Sequence, residues 1–100
     1  MKFKVTPQSI PEVLLIEPTV FEDERGYFME SFHQKDFDEI LPGVRFVQDN
    51  ESRSSRGVIR GLHFQKEPHA QAKLVRVVQG AIWDVAVDIR SSSPTFKQFV

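Results

Sequence analysis

Two stretches of this chain, residues 57–64 (GVIRGLHF) and 73–78 (KLVRVV), constrain its fold more than any other feature. Both are short runs of β-branched residues and leucine, a composition suited to a pleated, half-buried surface. Both also carry ionisable groups within the run: Arg60 and His63 in the first, Lys73 and Arg76 in the second. A strand whose apolar rhythm is broken repeatedly by such groups faces something polar inside the fold. Two further runs have the same mixed character, 23–32 (DERGYFMESF) and 46–50 (FVQDN).

The rest of the chain supplies more short strands. Residues 2–6 and 13–17 read as strands separated by Pro7 and Pro11, which favour turns or sheet edges. Residues 23–26 read as a turn and 27–32 as an aromatic-rich strand. Only 34–41 has helical spacing, with Phe37, Ile40 and Leu41 on one face and Pro42-Gly43 to stop it. Strands follow at 44–50, 58–65, 74–79 and 81–89, with a Ser/Arg-rich loop at 51–57, a tight connection at Gly80 and a turn at 91–94. Many short strands and one short helix predict a mainly β fold, an antiparallel sandwich or barrel.

The 100 residues amount to one domain or a piece of one. The pattern halts at Phe99-Val100 within a strand-like run, without cap or polar tail, which reads as truncation of a longer domain. At 40% apolar and 27% charged the composition is that of ordinary globular protein. A net charge of −1 with no block of one sign argues against nucleic acid or membrane partners held by bulk electrostatics. No apolar run approaches the ~20 residues of a membrane span. The first residues, MKFKVTPQSIPEV, lack the apolar segment of a secretory leader, so the expected location is the cytoplasm. The absence of cysteine excludes disulfides and thiolate metal sites.

Side-chain alternation sorts the candidates. In 81–89, Ile82, Asp84, Ala86 and Asp88 share one face, while Trp83, Val85, Val87 and Ile89 share the other and read as packed core. Phe46, Gln48 and Asn50 lie together; two amides on one face can grip a base or sugar edge, or simply finish a strand. His63 falls with Ile59, Gly61 and Gln65, with Arg60 on the opposite side unless Gly61 carries a bulge. An imidazole can take a proton at working pH. Lys73 in a pocket is a point charge for a developing oxyanion, and at an edge a solvated residue. Arg25, Arg60 and Arg76 are surface residues singly, but phosphate clamps if aimed into a pocket. Glu30 interrupts an apolar run, and Asp84, nearer its strand's middle than Asp88, is placed to orient a histidine.

Taken in order, DERGYFMESF, FVQDN, GVIRGLHFQ, QAKLVR, DVAVDIR and SPTF resemble the dTDP-4-dehydrorhamnose 3,5-epimerase family over nearly all of the chain. The resemblance implies a cupin-type jelly roll, with residues 1–100 as the N-terminal portion of a single domain of roughly 180 residues. It implies a homodimer whose N-terminal strands cross to the partner, no metal and no organic cofactor. The implied substrate is dTDP-4-dehydro-6-deoxy-D-glucose, inverted at carbons 3 and 5, both next to the 4-keto group. His63 is then the base and Lys73 the enolate stabiliser. Arg60 holds diphosphate or sugar oxygen, and Gln48, Asp49 and Asn50 line the nucleotide-sugar site. Arg25 and Glu30 bind nucleotide, and Tyr27, where many relatives carry Phe, stacks near the thymine. The family's general acid, a tyrosine, and the carboxylate that partners the histidine belong to the other half of the domain. The one tyrosine here, Tyr27, stands in a different motif.

Three other readings compete. One is a mono-epimerase of a related deoxysugar pathway, and another a non-catalytic nucleotide-sugar-binding cupin. The third is a metal-dependent cupin, whose pattern of Gly, five residues and His-x-His is matched at Gly57 and His63 but broken at Gln65, with His69 only in the next loop. His63 and Lys73 together argue against a pure binder, which needs neither a base nor an oxyanion partner.

Overall fold

Two hairpins and a short helix organise the N-terminal part of the computed structural model, which describes residues 2–100. Strand β1 (Phe3–Pro7) pairs antiparallel with β2 (Leu14–Pro18). Alternation fixes the register: Phe3 and Val5 turn inward with Ile16, whereas Lys4 and Glu17 face each other on the solvent side. Their charged ends are 4.0 Å apart and exposed, a pair of small energetic weight. The connection is tied by the Gln8 N–H donating to the Val13 carbonyl at 2.9 Å, and it buries Ile10.

The second hairpin, β3 (Phe21–Asp23) and β4 (Gly26–Phe28), closes through a two-residue turn at Glu24-Arg25. The turn expected at 23–26 is present. The expected strand at 27–32 is shorter, because the pairing with β3 ends at Phe28. Helix α1 (Gln34–Ile40) stands where helical spacing placed it. It lacks a side-chain cap at His33 and has only seven residues, too few to be stable alone, so tertiary packing holds it. That packing is Phe37, 1% exposed. Its ring meets Phe3 edge-on at 5.2 Å, Phe32 at 4.8 Å and Phe46 at 6.4 Å between centroids. These four rings join β1, α1 and the segment after the helix into the local core.

From residue 44 to 85 the chain departs from expectation. The runs at 44–50, 58–65, 74–79 and 81–85 form no β-ladder among the described residues. A strand needs a neighbour to receive its N–H and carbonyl groups, and no other described segment lies alongside these. Their apolar side chains are correspondingly uncovered: Ile59 is 93% exposed and Trp83 92%. The expected core face of Trp83, Val85, Val87 and Ile89 is therefore exposed, because no second layer packs on it among the described residues.

Order returns at the end of the chain. Val87 pairs with Phe99, flanked by the Ala86 N–H to the Val100 carbonyl at 2.8 Å and the Asp88 N–H to the Gln98 carbonyl at 2.9 Å. Asp88, on the polar face of its run, is the buried member, 5% exposed. Its carboxylate accepts from the backbone N–H of Arg90 (3.0 Å), from Arg90 Nε (2.9 Å) and Nη2 (2.8 Å), and from the hydroxyls of Ser93 (2.6 Å) and Thr95 (2.5 Å). Arg90 Nη1 continues to Glu12 at 3.1 Å, fastening this corner to the β1–β2 connection.

The Arg90 guanidinium, followed by the two hydroxyls, holds the Asp88 carboxyl far below the usual carboxylate range. A depressed folded-state value means that the stabilisation is complete above the unfolded value, near pH 4, and is lost as pH falls toward the folded one. Asp88→Asn should therefore lower Tm by about 5–10 °C at pH 7 through mispaired hydrogen bonds. The gap between variant and parent should narrow steadily below about pH 4. Thermal unfolding followed by circular dichroism at pH 7, 4 and 2.5 checks this, and a pH-independent gap would remove Asp88 as its source.

Candidate active site

The first cluster of predicted site residues sits on the second hairpin. Its turn is built by Asp23, whose Oδ1 accepts the Arg25 N–H at 2.8 Å, the side-chain-to-backbone bond that makes Asp a turn former. Asp23 Oδ2 also takes Arg25 Nη2 at 2.6 Å and Nε at 3.2 Å. That pairing, first through the guanidinium, holds the Asp23 carboxyl below its ordinary value and the guanidinium above its own. Arg25 and Tyr27 line a shallow groove of about 420 Å³ together with Phe21, Glu22 and Phe28. The groove combines exposed rings, a surface for planar stacking, with an Arg25 guanidinium whose charge is offset by Asp23 beside the Glu22 carboxylate. Asp23 was not singled out from sequence, although the Asp-x-Arg-Gly spacing carries the signal.

Glu30 stands outside this groove and pairs with Lys2 at 3.2 Å, reaching back to the start of β1. Gln48 and Asn50 do share a face, and Gln48 Nε2 donates to Asn50 Oδ1 at 3.3 Å. Asp49, between them, is exposed. Both amides keep further donors and acceptors, since each makes at most one of its bonds to the other.

Arg60 is anchored by the loop that precedes it. Its Nε donates to Ser54 Oγ and its Nη2 to the Arg53 carbonyl, both at 2.9 Å. The Ser/Arg-rich loop at 51–57 is thus engaged with a predicted site residue. At Gly61 the backbone takes φ +135°, a value side-chain-bearing residues avoid. Because residues 58–65 form no ladder among the described residues, the expected bulge at Gly61 has no strand pair to sit in, and strand alternation does not decide how Arg60 and His63 are placed.

His63 and Lys73 are exposed, on the unpaired segments, and neither takes part in an ion pair among the described residues. Asp84 is exposed and forms no ion pair with His63. Arg25, the Gln48–Asn50 pair and Arg60 are thus each anchored locally, in three separate pieces, and the groove at the second hairpin includes none of Gln48, Asn50, Arg60, His63 or Lys73. Among the described residues no group of three or more His, Cys, Asp or Glu is placed to hold a metal ion.

Comparison with known proteins places the chain in a family. The sequence model of the dTDP-4-dehydrorhamnose 3,5-epimerase family matches residues 7–100. The chain is 62% identical over 97 residues to the dTDP-4-dehydrorhamnose 3,5-epimerase of Shigella flexneri, covering 96% of this chain and 54% of that protein. It is 54% identical over 98 residues to the enzyme of the same name from Methanothermobacter thermautotrophicus, with 98% and 52% covered. Its fold superposes with a TM-score of 0.91 on the crystal structure of dTDP-6-deoxy-D-glucose-3,5-epimerase from Legionella pneumophila in complex with dTDP-4-keto-L-rhamnose, at 52% identity, covering 98% of this chain and 52% of that one. The Bacillus anthracis dTDP-4-dehydrorhamnose 3,5-epimerase with TDP and PPi bound gives 0.90 at 49% identity, with 98% and 57% covered. The chain spans about half the length of the curated relatives it matches. Its unpaired runs superpose with the rest of the chain on these structures, so the fold is the family's cupin fold, mainly β with one short helix.

Proposed function

The chain belongs to the dTDP-4-dehydrorhamnose 3,5-epimerase family, and from that premise we propose that it forms the substrate-gripping and proton-abstracting part of such an enzyme. The reaction converts dTDP-4-dehydro-6-deoxy-D-glucose to dTDP-4-dehydro-L-rhamnose, a step of dTDP-L-rhamnose biosynthesis. Residues 1–100 are read as the N-terminal portion of one cupin domain of roughly 180 residues. The enzyme is read as a cytoplasmic homodimer whose product feeds surface polysaccharide such as O-antigen. The observation that carries the activity is the Legionella structure, which superposes on this chain and holds a 4-keto sugar nucleotide.

The chemistry follows from the 4-keto group. Hydrogens on carbons 3 and 5 are acidic because the electron pair left behind moves onto the carbonyl oxygen as an enolate. His63 takes that proton as general base. The Lys73 ammonium stabilises the enolate oxygen as charge develops there. The enolate then collapses, and its carbon receives a proton on the opposite face from an acid, which the family resemblance assigns to a tyrosine in the half of the relatives' length this chain does not span. Each cycle removes and returns one proton, and no electron is transferred. Arg25 with Tyr27, Glu30, the Gln48–Asn50 segment and Arg60 hold the nucleotide, diphosphate and sugar. Asp84 remains a candidate to orient His63 once substrate is bound.

Solvent deuterium uptake tests the proposal. The chain and the longest form of the protein its gene encodes would be incubated with the 4-keto sugar nucleotide in heavy water and read by proton NMR. Deuterium at both carbons with an L-rhamnose configuration is expected from the longer form, and no inverted product from the 100-residue chain. Label at one carbon would make the protein a mono-epimerase. No label with either form would leave a nucleotide-sugar binder.

A further inference from the structure

We propose that Ser54 is a positioning residue for Arg60, holding its guanidinium so that one edge is reserved for the diphosphate of the substrate. This rests on the reading of Arg60 as a phosphate contact. A guanidinium has five N–H donors in a rigid plane, arranged as a side edge (Nε with one N–H of Nη2) and an outer edge (Nη1 with the other N–H of Nη2). The side edge of Arg60 is taken, Nε by Ser54 Oγ and Nη2 by the Arg53 carbonyl, both at 2.9 Å. Neither partner carries a charge, so the full positive charge remains for a ligand. The outer edge still offers two parallel N–H groups, the fork that receives two phosphate oxygens.

The clamp comes from six and seven residues earlier in the chain, so the loop must turn back on Arg60 to form it. Arg25 and Arg90 are each held by an Asp carboxylate, which offsets their charge. Arg60 instead has neutral acceptors on one edge only, the arrangement that fixes a long side chain before binding without neutralising it. Fixing it in advance removes part of the ordering entropy that a ligand would otherwise have to offset.

Isothermal titration of dTDP and of thymidine would test this on the longest form of the protein its gene encodes. Ser54 is exposed in this chain. Ser54→Ala should weaken dTDP about three- to tenfold and leave thymidine unchanged, because thymidine has no phosphate to present. Ser54→Thr keeps the hydroxyl and should restore dTDP affinity to within about twofold. Arg60→Ala should weaken dTDP by about ten- to a hundredfold. If Arg60→Ala weakens dTDP while Ser54→Ala matches the parent, the clamp is overturned and the Arg60 reading stands. If Arg60→Ala leaves dTDP unchanged, that reading fails and the clamp with it. Equal losses for thymidine and dTDP in Ser54→Ala would make Ser54 a general loop residue and overturn the inference.

Discussion

Replacing His63 with asparagine should reduce deuterium uptake and turnover in the longest form of the protein by about 10²–10⁴-fold, the usual contribution of a positioned general base. Asparagine occupies much of the imidazole's volume but cannot accept a proton at neutral pH. Its effect is therefore chiefly chemical. The loss should fall in kcat, with KM for the sugar nucleotide changed by no more than about threefold, if Arg25, Gln48, Asn50 and Arg60 supply the grip as proposed. Uptake at carbon 3 and carbon 5 should fall together if one base serves both. Uptake that survives at either carbon in His63→Asn would assign that proton to another group. An unchanged kcat would end the assignment of His63 altogether.

What the sequence made legible was whatever depends on neighbours close along the chain. The β3–β4 turn lies in the spacing of Asp23, Arg25 and Gly26, and helix α1 in the spacing of Phe37 and Ile40. Gln48 and Asn50 share a face because alternation alone decides it. What alternation could not decide was which face is covered. Trp83 and Val85 read as core because apolar residues on one face usually meet a second layer, yet no such layer lies over them among the described residues, and Asp88, on the other face, is the buried residue. Its burial depends on Arg90, Ser93 and Thr95 folding back over it, and Arg90 is in turn held by Glu12, 78 residues before it in sequence. The Arg60 clamp was hidden for a similar reason: a Ser/Arg-rich loop looks solvated until it turns back upon a specific side chain. His63 and Lys73 stood out by residue chemistry and by motif resemblance, and neither engages another charged group among the described residues.

Phe37→Ala should be the most destabilising single substitution in the chain, at about 3–5 kcal/mol. Phe37 is fully enclosed, and its ring is the common neighbour of Phe3, Phe32 and Phe46. Alanine at this position removes the transfer free energy of the ring and leaves a cavity between β1 and α1 that two hairpin strands and seven helical residues cannot close. It also removes the contact that holds the uncapped helix against the sheet, so the helix should fray with the core. The comparison that isolates burial from ring size is Trp83→Ala, which deletes a larger side chain. Trp83 is 92% exposed in this chain, so its removal should alter stability by no more than about 0.5 kcal/mol. Urea denaturation of the 100-residue chain, with its midpoint and slope compared across the two variants, separates the outcomes. A Phe37→Ala cost below about 1 kcal/mol, or a Trp83→Ala cost of equal size, would mean that the aromatic cluster at β1 and α1 is not what holds the fold together.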